Sequence, residues 1–182
     1  MKDTVMQRYI AILRGINVGG KHKISMTELK KVLEKTGIEH IQTYIQSGNV
    51  IFSSDESDPA VLTEQISSVI KDHWGFEVPV IILSKREIDE IILTNPFADI
   101  YDPACLHITF LSAVPQSERI KSILELKDSP NDISIINRAV YLYCPNGYSK
   151  TRITNSFLER KLNLIATTRN LKTSLVLQQM AG

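Results

Sequence analysis

Gly15, Gly20 and Lys21 stand at the spacing of a phosphate-binding loop. "GINVGGKH" (15–22) follows the apolar run "RYIAILR" and meets the pattern G-x-x-x-x-G-K-[ST] at every position but the last, where His22 replaces a hydroxyl. In such a loop the helix begins at the Lys, so that free N–H groups and the helix dipole face the phosphates, and the Ser/Thr hydroxyl holds Mg²⁺. Here Ser25 and Glu28 have capping-box spacing, which sets the helix start four residues beyond Lys21. Neutral imidazole is a poor ligand for Mg²⁺, and no apolar strand ending in Asp supplies a second metal-holding element. An NTPase reading is therefore excluded, and neither a metal nor a cofactor is expected.

The same stretch still gathers Arg14, Asn17, Lys21, His22 and Lys23 among three glycines. Two further polar segments invite comparison: "QSGN" (Gln46, Ser47, Gly48, Asn49) and "DHWG" (Asp72, His73, Trp74, Gly75). Cations, amides, a hydroxyl and an indole together suit a small anionic or polar ligand. For proton transfer near neutral pH, His22 and His73 are the nearby groups of suitable reference pKa. Cys105 and His107 alternate on a strand; this reads as a buried thiol and a satisfied imidazole, not as a nucleophile and base. The two cysteines show no zinc spacing and no disulfide framework, so reduced thiols are expected. Paired carboxylates such as Asp89 and Glu90 read as solvated or capping groups, and the strand tyrosines Tyr44, Tyr141 and Tyr143 as core.

The elements that must position these groups follow from periodicity and punctuation. "RYIAILR" reads as a buried strand, and residues 25–37 as a helix with an apolar stripe of Met26, Leu29, Val32 and Leu33 that ends at Gly37. Next comes a hairpin in "HIQTYIQSGNVIFSS" around a Gly-Asn tip, a helix opening at Asp58-Pro59 and ending near Gly75, and a strand over 76–84. This βαββαβ order is the ferredoxin-like split βαβ, an α+β fold. Ser84 and Glu87 form a second capping box ahead of "KREIDEIIL". The rest reads as a strand "LHITFLS", a helix "SERIKSILEL", a hairpin "DISIINRAVYLYC" and two closing helices over 151–163 and 168–180. Two ferredoxin-like α/β halves with antiparallel or mixed sheets are expected, 1–84 and 85–182, the second carrying the extra C-terminal helices. In the first, the loop after strand one, the hairpin tip and the turn after helix two belong to the same end of the sheet. Arg14, Asn17, Gly19, Gly20, Lys21, Gln46, Ser47 and Asn49 are the candidate ligand groups there.

"YIAILRGINVGGKHKISMTELK", "TYIQSGNVIFSS" and the late "ATTRNLKT" resemble the mainly bacterial family called domain of unknown function sixteen ninety-seven. The resemblance runs from about Tyr9 to the last helix. It implies two ferredoxin-like halves and implies no activity. It also singles out "TTRN", where Thr167 or Thr168 is expected to cap the last helix, with Arg169 and Asn170 beside free N–H groups as an anion site closing over the Gly-rich end. The family pattern often has Trp after "TRN"; here Leu171 stands there, reducing contact area.

Composition bounds the alternatives. The 182 residues are 43% hydrophobic and 23% charged, with net charge +1, which argues against a dedicated nucleic-acid binder. From Ser149 onward, Lys150, Arg152, Arg160, Lys161, Arg169 and Lys172 face Glu159 alone. This basic segment supports a second reading, a nucleic-acid or protein-interaction module. No apolar run reaches membrane-spanning length and the N-terminal stretch is polar, so no membrane partner and a cytoplasmic location are expected.

Overall fold

Strand β1 (Gln7–Leu13) and strand β3 (Asn49–Ser54) pair antiparallel with Tyr9 opposite Phe52, and their rings stack at 5.6 Å. The computed structural model describes residues 5–125 and 132–182. In it the chain forms two compact units, one comprising residues up to Asp89 together with Leu177–Gly182, the other Glu90–Val176.

In the first unit, β1 is followed by helix α1 (Met26–Leu33), strand β2 (Glu39–Tyr44), β3, helix α2 (Pro59–Trp74) and strand β4 (Val80–Ser84). The sheet order is β2-β3-β1-β4 with every neighbour antiparallel, which is the ferredoxin-like arrangement expected from the element order. Alternation along the strands puts Tyr9, Ala11, Leu13, Val50, Phe52, Val80 and Ile82 on the helix side. There they meet Leu29 and Leu33 of α1 and Leu62, Ile66 and Ile70 of α2. Burying a side chain of this size is worth about 1.5–3 kcal/mol. The helix ends follow the local punctuation: Ser25 Oγ accepts from the Glu28 N–H and Asp58 Oδ1 accepts from the Ala60 N–H, while Gly37 ends the 3-10 turn (Glu34–Thr36) that continues α1 and Gly75 ends α2, both in the left-handed region. β4 is shorter than the expected 76–84. Pro79 has no N–H to give a ladder, and pairing with β1 starts at Val80.

Helix α3 (Lys85–Leu93) opens on a reciprocal capping box: Glu87 Oε2 accepts from the Ser84 N–H at 2.8 Å while Ser84 Oγ accepts from the Glu87 N–H at 3.2 Å. The second unit then repeats the first. Strand β5 (Leu106–Leu111), helix α4 (Ser117–Leu124), strands β6 (Ile133–Ile136) and β7 (Ala139–Tyr143), helix α5 (Asn155–Leu162) and strand β8 (Ala166–Asn170) give the order β6-β7-β5-β8. All these pairs are antiparallel. Its core joins Leu111, Val140 and Leu142 to Ile123, Leu158 and Leu162. Leu126, the last residue of the helix expected there, lies outside the described residues.

The C-terminal region differs from its sequence reading. The two expected closing helices are α5, β8 and helix α6 (Leu171–Met180). "ATTRN" is a strand with Thr168 opposite Thr109 and Arg169 opposite Ile108. Thr is as much a strand residue as a cap, and the choice depends on whether a neighbouring strand offers a ladder. β5 does so here. The cap of α6 is Asn170, whose Oδ1 accepts from the Thr173 N–H at 2.7 Å. No helix among the described residues is long and apolar enough to cross a membrane.

Candidate functional site

The Gly-rich stretch owes its glycines to backbone geometry. Gly19 and Gly20 have φ of +59° and +74°, and Val18 and Lys21 on either side form a bridge, with the Lys21 N–H donating to Val18 O. Two central residues of positive φ make the tight hairpin turn for which glycine is the favoured residue. The spacing that mimics a phosphate loop is thus a two-residue turn. α1 starts at Met26, past the Lys, as the capping pattern required.

Asn17 fastens this turn to the rest of the unit. Its Nδ2 donates to Ile24 O at 2.9 Å and to Gln46 O at 2.8 Å, and its Oδ1 accepts from the Ile24 N–H at 2.9 Å. Both amide hydrogens are engaged. Asn17 itself sits at φ +55°, a region that Asn tolerates better than most side chains. On the other flank, Leu13 N–H donates to Gly48 O at 2.8 Å and Arg14 N–H to Pro79 O at 2.9 Å. The loop leaving β1, the hairpin tip and the approach to β4 are thereby tied together.

A cleft of about 450 Å³ opens where these turns meet. Asn17, Gly20 and Lys23 line it from the loop, Gln46 from the hairpin tip and Trp74 from the last turn of α2. The start of α1 adds Ile24, Ser25 and Glu28. Each of the three polar segments picked out in the sequence therefore contributes to one cavity. Glu28 Oε1 lies 2.8 Å from Nε2 of His73, and His73 packs edge-on against Trp74 at 4.4 Å. The Glu28 N–H donates to the capping Ser25 hydroxyl, while the Glu28 carboxylate reaches across to α2.

The remaining candidates occupy other places in the first unit. Asn49 is fully buried, its Nδ2 donating to Tyr44 O and to Ser47 Oγ, so both residues shape the hairpin tip. Arg14 is half-buried, while Gly19 and Lys21 are exposed on the turn, and none of the three lines the cleft. His22 stacks on Phe76 at 4.6 Å and is likewise not among the lining residues. Lys23 and Trp74 belong to the polar segments expected at this end, whereas Ser25 and Glu28 are legible in the sequence only as a capping box. For Trp74 the signal was its place in "DHWG". Glu28 had none beyond its cap position, because its partner is 45 residues away.

Arg169 and Asn170 belong to the second unit, within β8 and at its end. Arg169 does not stand at a helix N-terminus as expected. Its guanidinium is buried, donates to Thr167 Oγ1 and Thr168 O, and is pushed down to about 10 by that burial, which leaves it charged at neutral pH. Leu171, where the family pattern often has Trp, is buried at the start of α6. Of the basic C-terminal segment, Lys150, Arg152, Arg160 and Lys172 are exposed, whereas Arg169 is withdrawn from solvent.

The second unit also holds a hydroxyl cluster. Thr168 Oγ1 donates to Asn155 Oδ1 at 2.6 Å, accepts from Tyr148 OH at 3.0 Å and lies 2.6 Å from Thr109 Oγ1. One donation and two acceptances use the full capacity of a hydroxyl. His107 stacks on Tyr148 at 5.1 Å, and burial holds its imidazole below the usual histidine range.

A family model described as "Protein of unknown function (DUF1697)" matches residues 6–141. A solved structure, that of conserved bacterial protein SP0830 from Streptococcus pneumoniae, is similar to the chain at 28% identity and a TM-score of 0.74. The match covers 98% of this chain and all of that one. No curated protein matches the chain.

Proposed function

For a chain that belongs to the DUF1697 family, we propose a binding function: the cleft at the Gly-rich end of the first unit takes up a small anionic ligand. The observation that carries this reading is the lining of one cavity by Asn17 and Gly20, by Gln46 and by Trp74, three turns far apart in sequence. Its volume of about 450 Å³ falls within the size of small-molecule sites, about 300–1,000 Å³. Lys23 supplies positive charge at the cleft, Gln46 directional hydrogen bonds, and Trp74 a flat apolar face. Glu28 is already matched with His73 and adds an acceptor at the rim. The ligand expected from this set carries an anionic group, phosphate or carboxylate, on a small polar body. In this reading the protein works in the cytoplasm on a soluble compound.

Trp74 is the single tryptophan of the chain, so its fluorescence reports on the cleft directly. Titration with inorganic phosphate, sugar phosphates, mononucleotides and small dicarboxylates is expected to give a saturable change for at least one of them. Lys23→Ala should weaken that binding about tenfold, the loss of one charge-assisted contact of roughly 1.4 kcal/mol, while leaving the thermal midpoint in place. No saturable change with any of these, together with no thermal stabilisation, would remove the proposal.

A further inference from the structure

β5 and β7 run antiparallel with Leu106 opposite Tyr143 and His107 opposite Leu142. One step further along that register, Cys105 stands opposite Cys144. The pairing persists to this point, since the Cys144 N–H donates to the Cys105 carbonyl at 2.8 Å. This is one of the two bonds of a hydrogen-bonded antiparallel pair, at which the Cα atoms lie about 5.5 Å apart; the other is given up because the Cys105 N–H turns to Asp102 O. A disulfide spans Cα separations of about 4.4–6.8 Å, so this position needs no large backbone movement to accept one.

The two thiols, both free, have unequal surroundings. Cys105 is partly exposed and closes a short 3-10 turn, its N–H donating to Asp102 O at 2.9 Å. Cys144 is buried among Leu142, Ile153 and Leu158. That burial, with the neighbouring Cys105 acting in the same direction, pushes the Cys144 thiol up to about 11. One accessible sulfur beside one protected sulfur is the arrangement of an attacking thiol and a resolving thiol.

We propose that Cys105 and Cys144 are a redox pair that closes to an intramolecular disulfide when the protein meets a low-molecular-weight disulfide such as oxidised glutathione. Cys105 loses its proton to solvent and its thiolate attacks one sulfur of the oxidant. A protein–glutathione disulfide forms, and the first glutathione leaves as thiolate. Cys144 then loses its proton and attacks the Cys105 sulfur, expelling the second glutathione. Two protein thiols become one disulfide, and one glutathione disulfide is reduced to two glutathione thiols. Because the Cys144 thiol is held above the usual cysteine range, its thiolate fraction and with it the second step grow as pH rises. The new bond ties the Asp102–Cys105 turn to the end of β7 and closes the whole chain segment between them.

The test uses the purified full chain, incubated with oxidised glutathione at mildly alkaline pH, quenched with acid, denatured, alkylated and read by mass spectrometry. The expected product has lost two hydrogens, alkylates at neither cysteine and yields one cross-linked peptide pair. It is restored by dithiothreitol and melts several degrees higher than the reduced protein. In Cys144→Ser the reaction stops at a glutathione adduct on Cys105. Wild-type protein that ends as a stable Cys105 adduct, as a dimer joined through Cys105, or with both thiols still open to alkylation would overturn the proposal. The wild-type chain carries the readout, so the test decides even where Cys144→Ser fails to fold.

Discussion

Asn17 Nδ2 donates to the carbonyl of Gln46 at 2.8 Å although 29 residues separate them, which ties the Gly-rich loop to the hairpin tip. Three hydrogen bonds converge on this one side chain. Asn17→Ala is expected to cost about 2–3 kcal/mol, since each bond is worth about 1 kcal/mol and carbonyls are left without their donors. Asn17→Asp keeps the acceptance from Ile24 but loses both donations and should cost nearly as much. Urea unfolding of the two variants, with amide exchange at Ile24, measures this. An unchanged exchange rate at Ile24 would show that the loop holds its shape without the side chain.

Gly48 and Gly20 both sit at positive φ but meet different surroundings. A Cβ on Gly48 would lie 2.7 Å from Ile16 Cδ1 and 2.8 Å from Leu13 Cβ, whereas one on Gly20 meets nothing within 4 Å. Gly20→Ala should therefore cost only the conformational penalty, about 1 kcal/mol. Gly48→Ala adds overpacking against the end of β1 and should cost about 2–4 kcal/mol. Thermal or denaturant unfolding of both variants checks the order; equal losses would contradict it.

Burial lowers the His107 pKa in the folded state, which fixes the sign of a pH effect. Neutral imidazole is the form the fold prefers, so the full contribution is present above the unfolded value of about 6.5. Stability falls as pH drops through that value towards the folded pKa and levels off below it. His107→Gln should flatten this part of the profile. Unfolding midpoints across the mildly acidic range, compared between wild type and variant, give the measurement, and parallel profiles would assign the slope to other groups.

Thr168 Oγ1 uses its one donation and two acceptances on Asn155, Tyr148 and Thr109. Thr168→Val keeps the shape and strands these partners, at an expected cost of about 2–4 kcal/mol. Tyr148→Phe removes a single donor and should cost about 1 kcal/mol. In a double-mutant cycle the two should couple by about 0.5–1 kcal/mol. Additive losses would mean that the Tyr148 hydroxyl bonds elsewhere in solution.

How much of the fold is legible in the chain depends on how local the deciding interaction is. The helix starts at Ser25, Asp58 and Ser84 are set within four residues of chain, and the stripe of Leu29 and Leu33 shows its face without a partner in view. "ATTRN" is the opposite case. Thr167, Thr168 and Arg169 are polar, and only the ladder with β5 makes a buried strand of them in place of a helix cap.

The candidate site divides the same way. Topology alone brings Gln46 and Trp74 to the end of the sheet where the Gly-rich loop emerges, because strand order and direction follow from the βαββαβ pattern. Which groups face the cleft was settled by packing. Glu28 turns towards His73, Asn49 sinks into the hairpin, and Gly19 and Gly20 serve a turn. Local sequence thus determined the elements, their ends and their order in the first unit, since those rest on neighbours a few residues apart. Tertiary structure alone decided which polar side chains line the cleft, because a hydrogen-bond partner dozens of residues away leaves no mark on the residue that will meet it.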